Sequence, residues 1–393
     1  MKRITVLVSF FVLFLTAGMA EEVVLNVTHS AAGAIAAEIT AALTDAGLTA
    51  DQVERLVVTG NAGIWFNGVD CKALATTFTT ATLKVVDLSG VAFYQDAIPD
   101  FSATPGAFSN MLVEEIIIPS TITQVRRRGF LNCPNLKKVV LPAGLQQIRA
   151  YGFMNCPNLI DLGGELPSGI TTIGINAFQN SSNLVLNTLP SGLIQAMDMN
   201  STIVAATLAN TAFQGTKVAF SSIPAGITKI GNSTFQNSLV SSMSFHAGVT
   251  NIGNSTFSGA PLATLFFNGN APVLGTTPFG TTDPTTIELC KPSGATGFDV
   301  SPWSEMKACV HSSIQDNNVV TPVHLKSTMV TDVLRVGSVE QNTEAYIYNT
   351  NGKLVYRVKL HANQSENSIS VVNLAKGFYF LKTNQYTLKF IKN

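Results

Sequence analysis

Side chains that could perform acid–base chemistry or bind a metal are few and far apart in this sequence. Motifs that place a nucleophile, a zinc ion, a phosphate or a calcium ion are absent, among them G-x-S-x-G, H-E-x-x-H and a glycine-rich phosphate loop. The histidines are spread along the chain at His29, His246, His311, His324 and His361. A Ser-His-Asp triad assembles only in space, so a hydrolase stays an alternative. The sequence itself predicts no enzyme, no catalytic residue, no metal site and no cofactor.

The five cysteines predict one covalent link rather than a metal site. Cys290 and Cys309 lie 19 residues apart near the end of a domain and form the candidate disulfide, with two free thiols as the alternative. Cys133 and Cys156 occupy the same place in the words GFLNCPNL and GFMNCPNL, so we expect small buried residues, one above the other. Cys71 has no partner in this pattern.

The charge balance argues against a nucleic-acid partner. The chain has 393 residues with 24 basic and 24 acidic side chains, and only 12% of its residues are charged. A nucleic-acid binder needs a basic surface instead. Arg126-Arg127-Arg128 and Lys137-Lys138 are local exceptions, which we interpret as an ordinary solvated edge.

Residues 1–20 have the features of a secretory signal peptide. Lys2 and Arg3 precede an apolar run over residues 4–15, and small residues at Gly18 and Ala20 offer a cleavage site. No later run is apolar for long enough to cross a bilayer. The sequence therefore predicts an exported protein without a transmembrane segment after signal cleavage.

A repeat of 22 to 25 residues dominates the middle of the chain. A proline, or His246 in its place, precedes a phenylalanine by 11 residues in Pro119/Phe130, Pro142/Phe153, Pro167/Phe178, Pro224/Phe235 and His246/Phe257. Pro190 and Phe213 belong to the same series but are separated by an insertion at 197–208. Aliphatic residues follow the proline at three and six places, and an L-x-x-L-x-L pattern precedes it. Such self-similarity predicts a solenoid whose coils cover one another's apolar faces.

The repeat predicts an α/β-type solenoid with one short strand per coil and an irregular returning limb that brings the phenylalanine inside. Residues 21–82 are the expected N-terminal helical cap and first coil, with helices over 29–46 and 70–78. Residues 83–310 are the expected solenoid and its closing cap. Asn187 and Ser221 fall at inward strand positions, where they depart from the apolar pattern of the repeat.

The unit L-x-x-V-x-L-P-x-G-L-x-x-I-x-x-x-x-F-x-N-C-x-N resembles the BspA-like leucine-rich repeat of bacterial surface proteins. The resemblance covers roughly residues 50–290 and keeps its register over six or more copies. It implies a leucine-rich repeat fold that is displayed on the cell surface.

A third region follows a polar stretch at 311–323, which we interpret as a linker. Short alternating segments and the turn signal Asn351-Gly352 predict a small all-β sandwich over 324–393. This region also resembles the C-terminal sorting domain of the type IX secretion system of Bacteroidetes, in AYIYNTNGKLV, VNLAKGFYFLK and the final KFIK. The motif residues are Asn351, Gly352, Lys353, Gly377, Tyr379, Lys382, Lys389 and Lys392.

The second resemblance implies passage across the outer membrane with the type IX secretion machinery as a partner. It also implies removal of this domain, followed by release or by attachment to surface glycolipid. A carbohydrate-binding or spacer β-domain is the alternative.

Side chains between the inward residues of each strand should point outward in rows along the solenoid. The rows hold few charges, of mixed sign, and several aliphatic or aromatic residues, which suits a protein or glycan ligand better than a polyanion. Sheet propensity alone is the other explanation. The predicted ligand-binding face comprises Glu115, Ile117, Lys138, Val140, Phe220, Ser222, Ser244 and Phe266.

These observations favour a secreted, surface-displayed recognition or adhesion protein that binds a host or bacterial surface protein or glycan. One alternative is an exported hydrolase with a site in the N-terminal cap or in the insertion at 197–208. A second is a self-associating component of a surface coat. The expected location is the cell surface, at the outer membrane, or the extracellular space.

Overall fold

The computed structural model describes residues 22–80, 82–100, 106–309, 329–337, 342–349, 354–362, 364, 366–383 and 387–392. They form two compact units, residues 22–309 and residues 329–392, each with its own apolar core. The predicted signal peptide and linker, His311, His324 and the turn residues Asn351, Gly352 and Lys353 lie outside the described residues. Within the described ranges, no helix is long and apolar enough to cross a membrane.

The described strands of the first unit are short. In chain order they are β1 (Val24–His29), β2 (Arg55–Gly60), β3 (Trp65–Phe66), β4 (Val85–Gly90), β5 (Ala92–Phe93), β6 (Ala97–Ile98), β7 (Glu115–Ile117), β8 (Gln124–Val125), β9 (Gln147–Ile148), β10 (Thr172–Gly174), β11 (Gln195–Met197), β12 (Ile203–Ala205), β13 (Thr207–Leu208), β14 (Lys229–Ile230), β15 (Ser242–Phe245), β16 (Asn251–Ile252), β17 (Thr264–Phe267), β18 (Val273–Leu274), β19 (Glu288–Cys290) and β20 (Lys307–Ala308). The helices are α1 (Ile35–Ala46) and α2 (Gly68–Thr77), with 3-10 turns at Ala50–Gln52, Tyr94–Asp96, Pro284–Thr286 and Trp303–Glu305.

Two parallel ladders run along the first unit. The front sheet is β1-β2-β4-β7, continues through single bridges from Glu115 to Lys138 and from Lys138 to Asp161, and resumes as β15-β17-β19-β20. The back sheet is β6-β8-β9-β10-β11, to which β12 adds in the antiparallel direction, followed by β13-β14-β16-β18. Strands β3 and β5 pair with each other.

The prediction of an irregular returning limb was wrong, because the back sheet lies on that limb. Its two- and three-residue strands pair in register, as Val125 with Ile148 and Ile148 with Ile173. The strand expected before the proline is instead reduced to single bridges on three middle coils, at Lys138, Asp161 and Ser222. Gly163 and Gly164 contribute to this loss, since their φ angles of 86° and 116° interrupt an extended chain.

A column of phenylalanines fills the space between the two sheets. Each member is at most 3% exposed, and successive ring centroids lie 4.8 to 6.3 Å apart with planes inclined by no more than 26°. The members are Phe108, Phe130, Phe153, Phe178, Phe213, Phe235, Phe257 and Phe279. The predicted interior position of the repeated phenylalanine is therefore confirmed, and the column extends one coil further at each end.

The asparagine of the repeated word closes the turn after the phenylalanine. Asn132, Asn155 and Asn180 have φ angles of 57°, 57° and 60°, a left-handed conformation that asparagine adopts more readily than most residues. Asn155 Nδ2 donates to Asn132 Oδ1 at 2.8 Å, and Asn180 Nδ2 donates to Asn155 Oδ1 at 3.0 Å. The motif recurs because each coil makes the same turn, and this turn is hydrogen-bonded to the same turn of the neighbouring coil.

The cysteine of the repeated word is a buried hydrogen-bond donor. Cys156 Sγ donates to the carbonyl oxygen of Phe130 at 2.9 Å, and on the next coil Ser181 Oγ donates to that of Phe153 at 2.6 Å. Burial is the main cause that raises the pKa of the Cys133 thiol well above its usual value. These thiols are therefore structural groups.

We expect Cys156→Ser to change the free energy of unfolding by less than about 1 kcal/mol, because a serine hydroxyl makes the same bond one coil away. Cys156→Ala removes the donor and is expected to destabilise the protein by about 2 kcal/mol, since the Phe130 carbonyl loses a buried partner. Urea unfolding of both variants measures the difference. Equal destabilisation by serine and alanine would contradict the assigned role of the thiol.

Helices α1 and α2 extend the core of the repeats at the N-terminal end. Ile35, Ile39 and Leu74 are fully buried and belong to the same apolar cluster as the coils. Helix α1 ends at Ala46, and the following residue, Gly47, forms a left-handed C-cap with a φ of 65°. Helix α1 begins at Ile35, six residues after the predicted start, because His29 ends β1, and α2 begins at Gly68, two residues before its predicted start.

A disulfide joins the last two strands of the front sheet at the C-terminal end. Cys290 ends β19, and Cys309 directly follows β20; their Sγ atoms are 1.97 Å apart. This is the pair that the sequence singles out. The segment 291–308 between them carries Phe298 and Trp303, whose rings contact each other and the last coil.

The second unit is all-β in its described residues. Its strands are β21 (Met329–Val330), β22 (Val333–Gly337), β23 (Thr343–Asn349), β24 (Leu354–Leu360), β25 (Glu366–Ser370), β26 (Gly377–Lys382) and β27 (Thr387–Lys392). A five-stranded sheet in the order β21-β27-β26-β23-β24 shares its core with the pair β22-β25. Strands β23 and β24 pair in the antiparallel direction, as the intervening Asn-Gly turn predicts.

Candidate functional site

Alternation along the front sheet directs one group of the predicted residues outward. Ile116 of β7 is fully buried, so its neighbours Glu115 and Ile117 project from the sheet. Lys138 stands beside Glu115 through a parallel bridge, and its Nζ lies 2.9 Å from Glu115 Oε1. The hydrogen bond and the charge of Glu115 raise the pKa of Lys138 above its usual value. This pair is a fixed, charge-neutral element of the face.

Val140 is the exposed apolar side chain next to that ion pair. It is 46% exposed, although it belongs to the same coil as Val139, which is fully buried. A Cβ on Gly163 of the next coil would lie 2.8 Å from Val140 Cγ1. The glycine therefore leaves Val140 room to lie flat against the backbone of the following coil.

A second group lies further along the front sheet. Ser222 and Ser244 form a parallel bridge, and Ser244 is in register with Phe266 of β17. Phe266 is 39% exposed, so this group presents an aromatic ring beside two hydroxyls.

The predicted exposure of Phe220 was wrong. Its ring is 1% exposed and lies 4.9 Å from Phe213 and 6.0 Å from Phe235, measured between centroids. Ser221, the residue expected to point inward, is exposed instead. A serine cannot fill an apolar interior, so the preceding residue turns in and shifts the register by one place.

The same shift occurs one coil earlier. Leu186 is 1% exposed, whereas Asn187 points outward. The carboxylate of Glu165 accepts hydrogen bonds from the backbone N–H groups of Asn187 and Thr188 at 2.9 and 3.0 Å. This carboxylate replaces the missing ladder bonds, and it separates the predicted face into the two groups.

A buried histidine lies between two carboxylates in the N-terminal segment. His29 is fully buried; its Nδ1 lies 2.9 Å from Glu38 Oε2 and its Nε2 lies 3.6 Å from Asp70 Oδ2. Burial acts to raise the pKa of Glu38, but hydrogen bonds from Ser30 and His29 prevail and lower it. Both ring nitrogens face carboxylates. Because His29 belongs to β1, Glu38 to α1 and Asp70 to α2, the cluster links these three elements.

The insertion at 197–208 forms a hairpin through β11 and β12. The carboxylate of Asp198 accepts hydrogen bonds from the N–H groups of Asn200 and Thr202 at 2.8 and 2.7 Å and so fixes the turn. Ile203 and Val204 are 45% and 42% exposed. This hairpin offers apolar surface and a structural carboxylate.

The predicted sorting-motif residues lie in strands β26 and β27 where they are described. Tyr379 is 7% exposed, stacks on Phe390 at 5.6 Å, and its hydroxyl donates to the carbonyl oxygen of Ala375 at 2.9 Å. Gly377 begins β26 and Lys382 ends it. Lys389 and Lys392 belong to β27.

Comparisons with known proteins agree with this architecture. Residues 103–201 and 206–297 match the BspA type leucine rich repeat region in six copies, and residues 330–393 match the secretion system C-terminal sorting domain. No curated protein matches the chain.

Two solved structures are similar to parts of the chain. One is a leucine rich cell surface protein from Faecalibacterium prausnitzii A2-165, with 21% identity over 47% of this chain and a TM-score of 0.31. The other is a leucine-rich repeat protein from Bacteroides ovatus ATCC 8483, with 18% identity over 57% of this chain, 69% of that chain and a TM-score of 0.33. The match spans 43% of the length of the Faecalibacterium protein.

The coils and the matched repeats define a leucine-rich repeat protein. Its repeats are of the BspA type, and its C-terminal region is a sorting domain of the type IX secretion system. The sorting domain implies interaction with the type IX secretion machinery, and the protein is exported to the cell surface or the extracellular space.

Proposed function

We propose that this protein recognises a host or bacterial surface protein or glycan through the front sheet, as a surface-displayed recognition or adhesion protein. The observation that carries the proposal is the exposure of Val140 beside Ile117 and the fixed Glu115–Lys138 pair. Exposed aliphatic side chains flanked by paired charges are typical of a binding surface. Phe266 adds an aromatic anchor in the second group.

A catalytic role has less support. Among the described residues, no group of three or more His, Cys, Asp or Glu side chains could hold a metal ion. The His29 ring and the Asp70 carboxylate are fully buried, and the hairpin at 197–208 uses Asp198 for its own turn. We therefore propose a non-enzymatic protein whose N-terminal helices serve as a cap for the first coil.

The double variant Ile117→Asp/Val140→Asp tests the proposed face. The purified exported protein is first applied to an array of glycans and host matrix proteins, and the strongest retained component becomes the ligand. We expect the double variant to bind it at least about tenfold more weakly, because two carboxylates would need to be desolvated at the contact.

Ile203→Asp/Val204→Asp is the matched control, since these residues are about as exposed as Val140 but lie on the back sheet. It should bind like the wild type. Unchanged binding by the front-sheet variant with an intact fold, or a wild-type protein that retains no array component, would contradict the proposal. Concentration-dependent self-association without any retained ligand would favour the coat component instead.

A further inference from the structure

Four arginines collect on two adjacent coils of the back sheet, away from the front sheet. Arg126 follows Val125 of β8 and Arg149 follows Ile148 of β9, and these strands pair in register. Equivalent positions on paired strands are about 4.8 Å apart, so the two arginines are neighbours. With Arg127 and Arg128 they form what we name the arginine patch.

Amide oxygens hold the guanidinium groups of these two arginines. Arg149 donates from Nε to Gln147 Oε1 at 3.1 Å and from Nη2 to Gln124 Oε1 at 2.9 Å. Arg126 Nη2 donates to Gln95 Oε1. Neutral oxygens orient these groups without cancelling their charge, and a guanidinium carries more N–H donors than these bonds use.

The other two arginines are fixed by a carbonyl and a ring. Arg127 Nη1 donates to the carbonyl oxygen of Met199 at 3.0 Å, and the Arg128 guanidinium lies 5.6 Å from the centroid of the Tyr151 ring. Among the described residues, the Nε atoms of Arg126 and Arg127 are buried and meet no hydrogen-bond acceptor. The sequence-based interpretation as an ordinary solvated edge was therefore wrong, because these side chains are half-buried and fixed.

Cations on the front sheet, by contrast, are paired with carboxylates. Each of four has a carboxylate partner, in the pairs Arg55–Glu22, Lys84–Glu54, Lys137–Glu114 and Lys138–Glu115, at 2.9 to 3.3 Å. Over the described part of the chain, no carboxylate lies within 4.0 Å of the guanidinium nitrogens of the arginine patch. Burial and the charge of Arg126 lower the pKa of Arg149, and Asp100 offsets this only in part. A bound anion would relieve that repulsion.

We infer that the arginine patch binds the sulfate or carboxylate groups of an acidic glycan. The inference is independent of the proposed front-sheet ligand, since the two sites use different sheets. Guanidinium groups pair with planar or tetrahedral oxyanions through two N–H groups at a time.

The row beside the patch suits a sugar chain. Gln124, Gln147, Thr172 and Gln195 are in register on successive strands. The glutamines are half-buried; Gln124 and Gln147 accept from Arg149 through Oε1, which leaves their Nε2 groups to donate to sugar hydroxyls. A nucleic acid needs a longer basic track and stacking platforms, whereas the charge here is confined to two coils in a neutral protein.

Binding of labelled polysaccharides to the purified full chain tests the inference. The probes are dextran sulfate, polygalacturonate, neutral dextran and a single-stranded DNA oligonucleotide. We expect one or both acidic polysaccharides to bind with an affinity that falls as salt rises, and neutral dextran not to bind. The comparison of the first two probes distinguishes sulfate from carboxylate recognition.

Arg126→Gln/Arg149→Gln is expected to weaken that binding about tenfold for each lost charge-assisted contact. Lys217→Gln/Lys229→Gln removes the same charge from other exposed positions of the repeats and should weaken it less than about twofold. Arg149→Lys keeps the charge but loses the paired N–H geometry, and provides a milder variant if the double variant does not fold.

Several results would overturn the inference. They are binding of neither acidic polysaccharide, equal losses in the arginine and lysine variants, full binding by all arginine variants, and binding of the oligonucleotide alone. Since none of these measurements involves Ile117 or Val140, the failure of this site and the failure of the front-sheet proposal are distinguishable.

Discussion

Phe153→Ala is expected to lower the free energy of unfolding of the repeat unit by about 4 kcal/mol. The ring is fully buried, and its centroid lies 4.8 Å from that of Phe130 and 5.5 Å from that of Phe178. Removing it leaves a cavity between two coils whose spacing is set by the ladders on both sides. Neighbouring rings cannot close that cavity without breaking the sheet register, so the loss should lie in the upper range for such substitutions.

Phe266→Ala is the matched control for this result. Phe266 is 39% exposed on the front sheet, so its removal should change the free energy of unfolding by less than about 1 kcal/mol. Both tryptophans, Trp65 and Trp303, belong to the first unit, and their fluorescence during urea unfolding reports on that unit. Similar midpoints for the two alanine variants would show that the phenylalanine column does not carry the stability assigned to it.

Asp70→Ala is expected to destabilise the N-terminal end by about 4 kcal/mol. The carboxylate is fully buried and accepts hydrogen bonds from the backbone N–H groups of Gly33 and Asn67 at 3.0 Å and of Ile35 at 3.3 Å. It also lies 3.6 Å from the Nε2 of His29. Removing it leaves three backbone donors without their acceptor at the start of both helices, and each unsatisfied buried group adds to the loss.

Asp45→Ala provides the control, because Asp45 is an exposed acid in the last turn of α1. Loss of a negative charge there should change stability by no more than about 0.5 kcal/mol. Asp70→Asn keeps one acceptor oxygen and should fall between the two. Urea unfolding followed by tryptophan fluorescence measures all three, and an Asp70→Ala midpoint equal to that of Asp45→Ala would contradict the role of the carboxylate.

The interior of the repeats could be predicted from the sequence because it depends on side chains that recur at a fixed spacing. Phe130, Phe153 and Phe178 share one interior, as the proline-to-phenylalanine spacing predicts. Helix α1 could be predicted for a related reason, since Ile35 and Ile39 lie one helical turn apart and both are buried.

The back sheet and the shifted middle coils could not be predicted in the same way. Two-residue strands carry too little alternation to be distinguished from an irregular limb. At Phe220 the template predicts which position faces inward, but the apolar interior selects the neighbouring residue because Ser221 cannot fill it. Such a shift results from packing in three dimensions.

The two candidate sites also differ in how far the sequence predicts them. Glu115, Ile117, Lys138 and Val140 follow from alternation in regular coils. The sequence draws attention to the run of three arginines but not to Arg149, because its proximity to Arg126 depends on the back-sheet register. The signal that could have found it is the repeat itself, since both arginines stand seven residues after the proline of their coil.

The disulfide between Cys290 and Cys309 also determines how the protein responds to a pulling force. Tension applied through the chain beyond Cys309 passes across the sulfur atoms to Cys290, so the span that carries Trp303 cannot be drawn out. The roughly 18 residues between the cysteines would extend to about 60 Å, at about 3.4 Å per residue, and the disulfide prevents that extension. In an oxidising environment, a load from that side therefore reaches β19 while the closing segment stays in place.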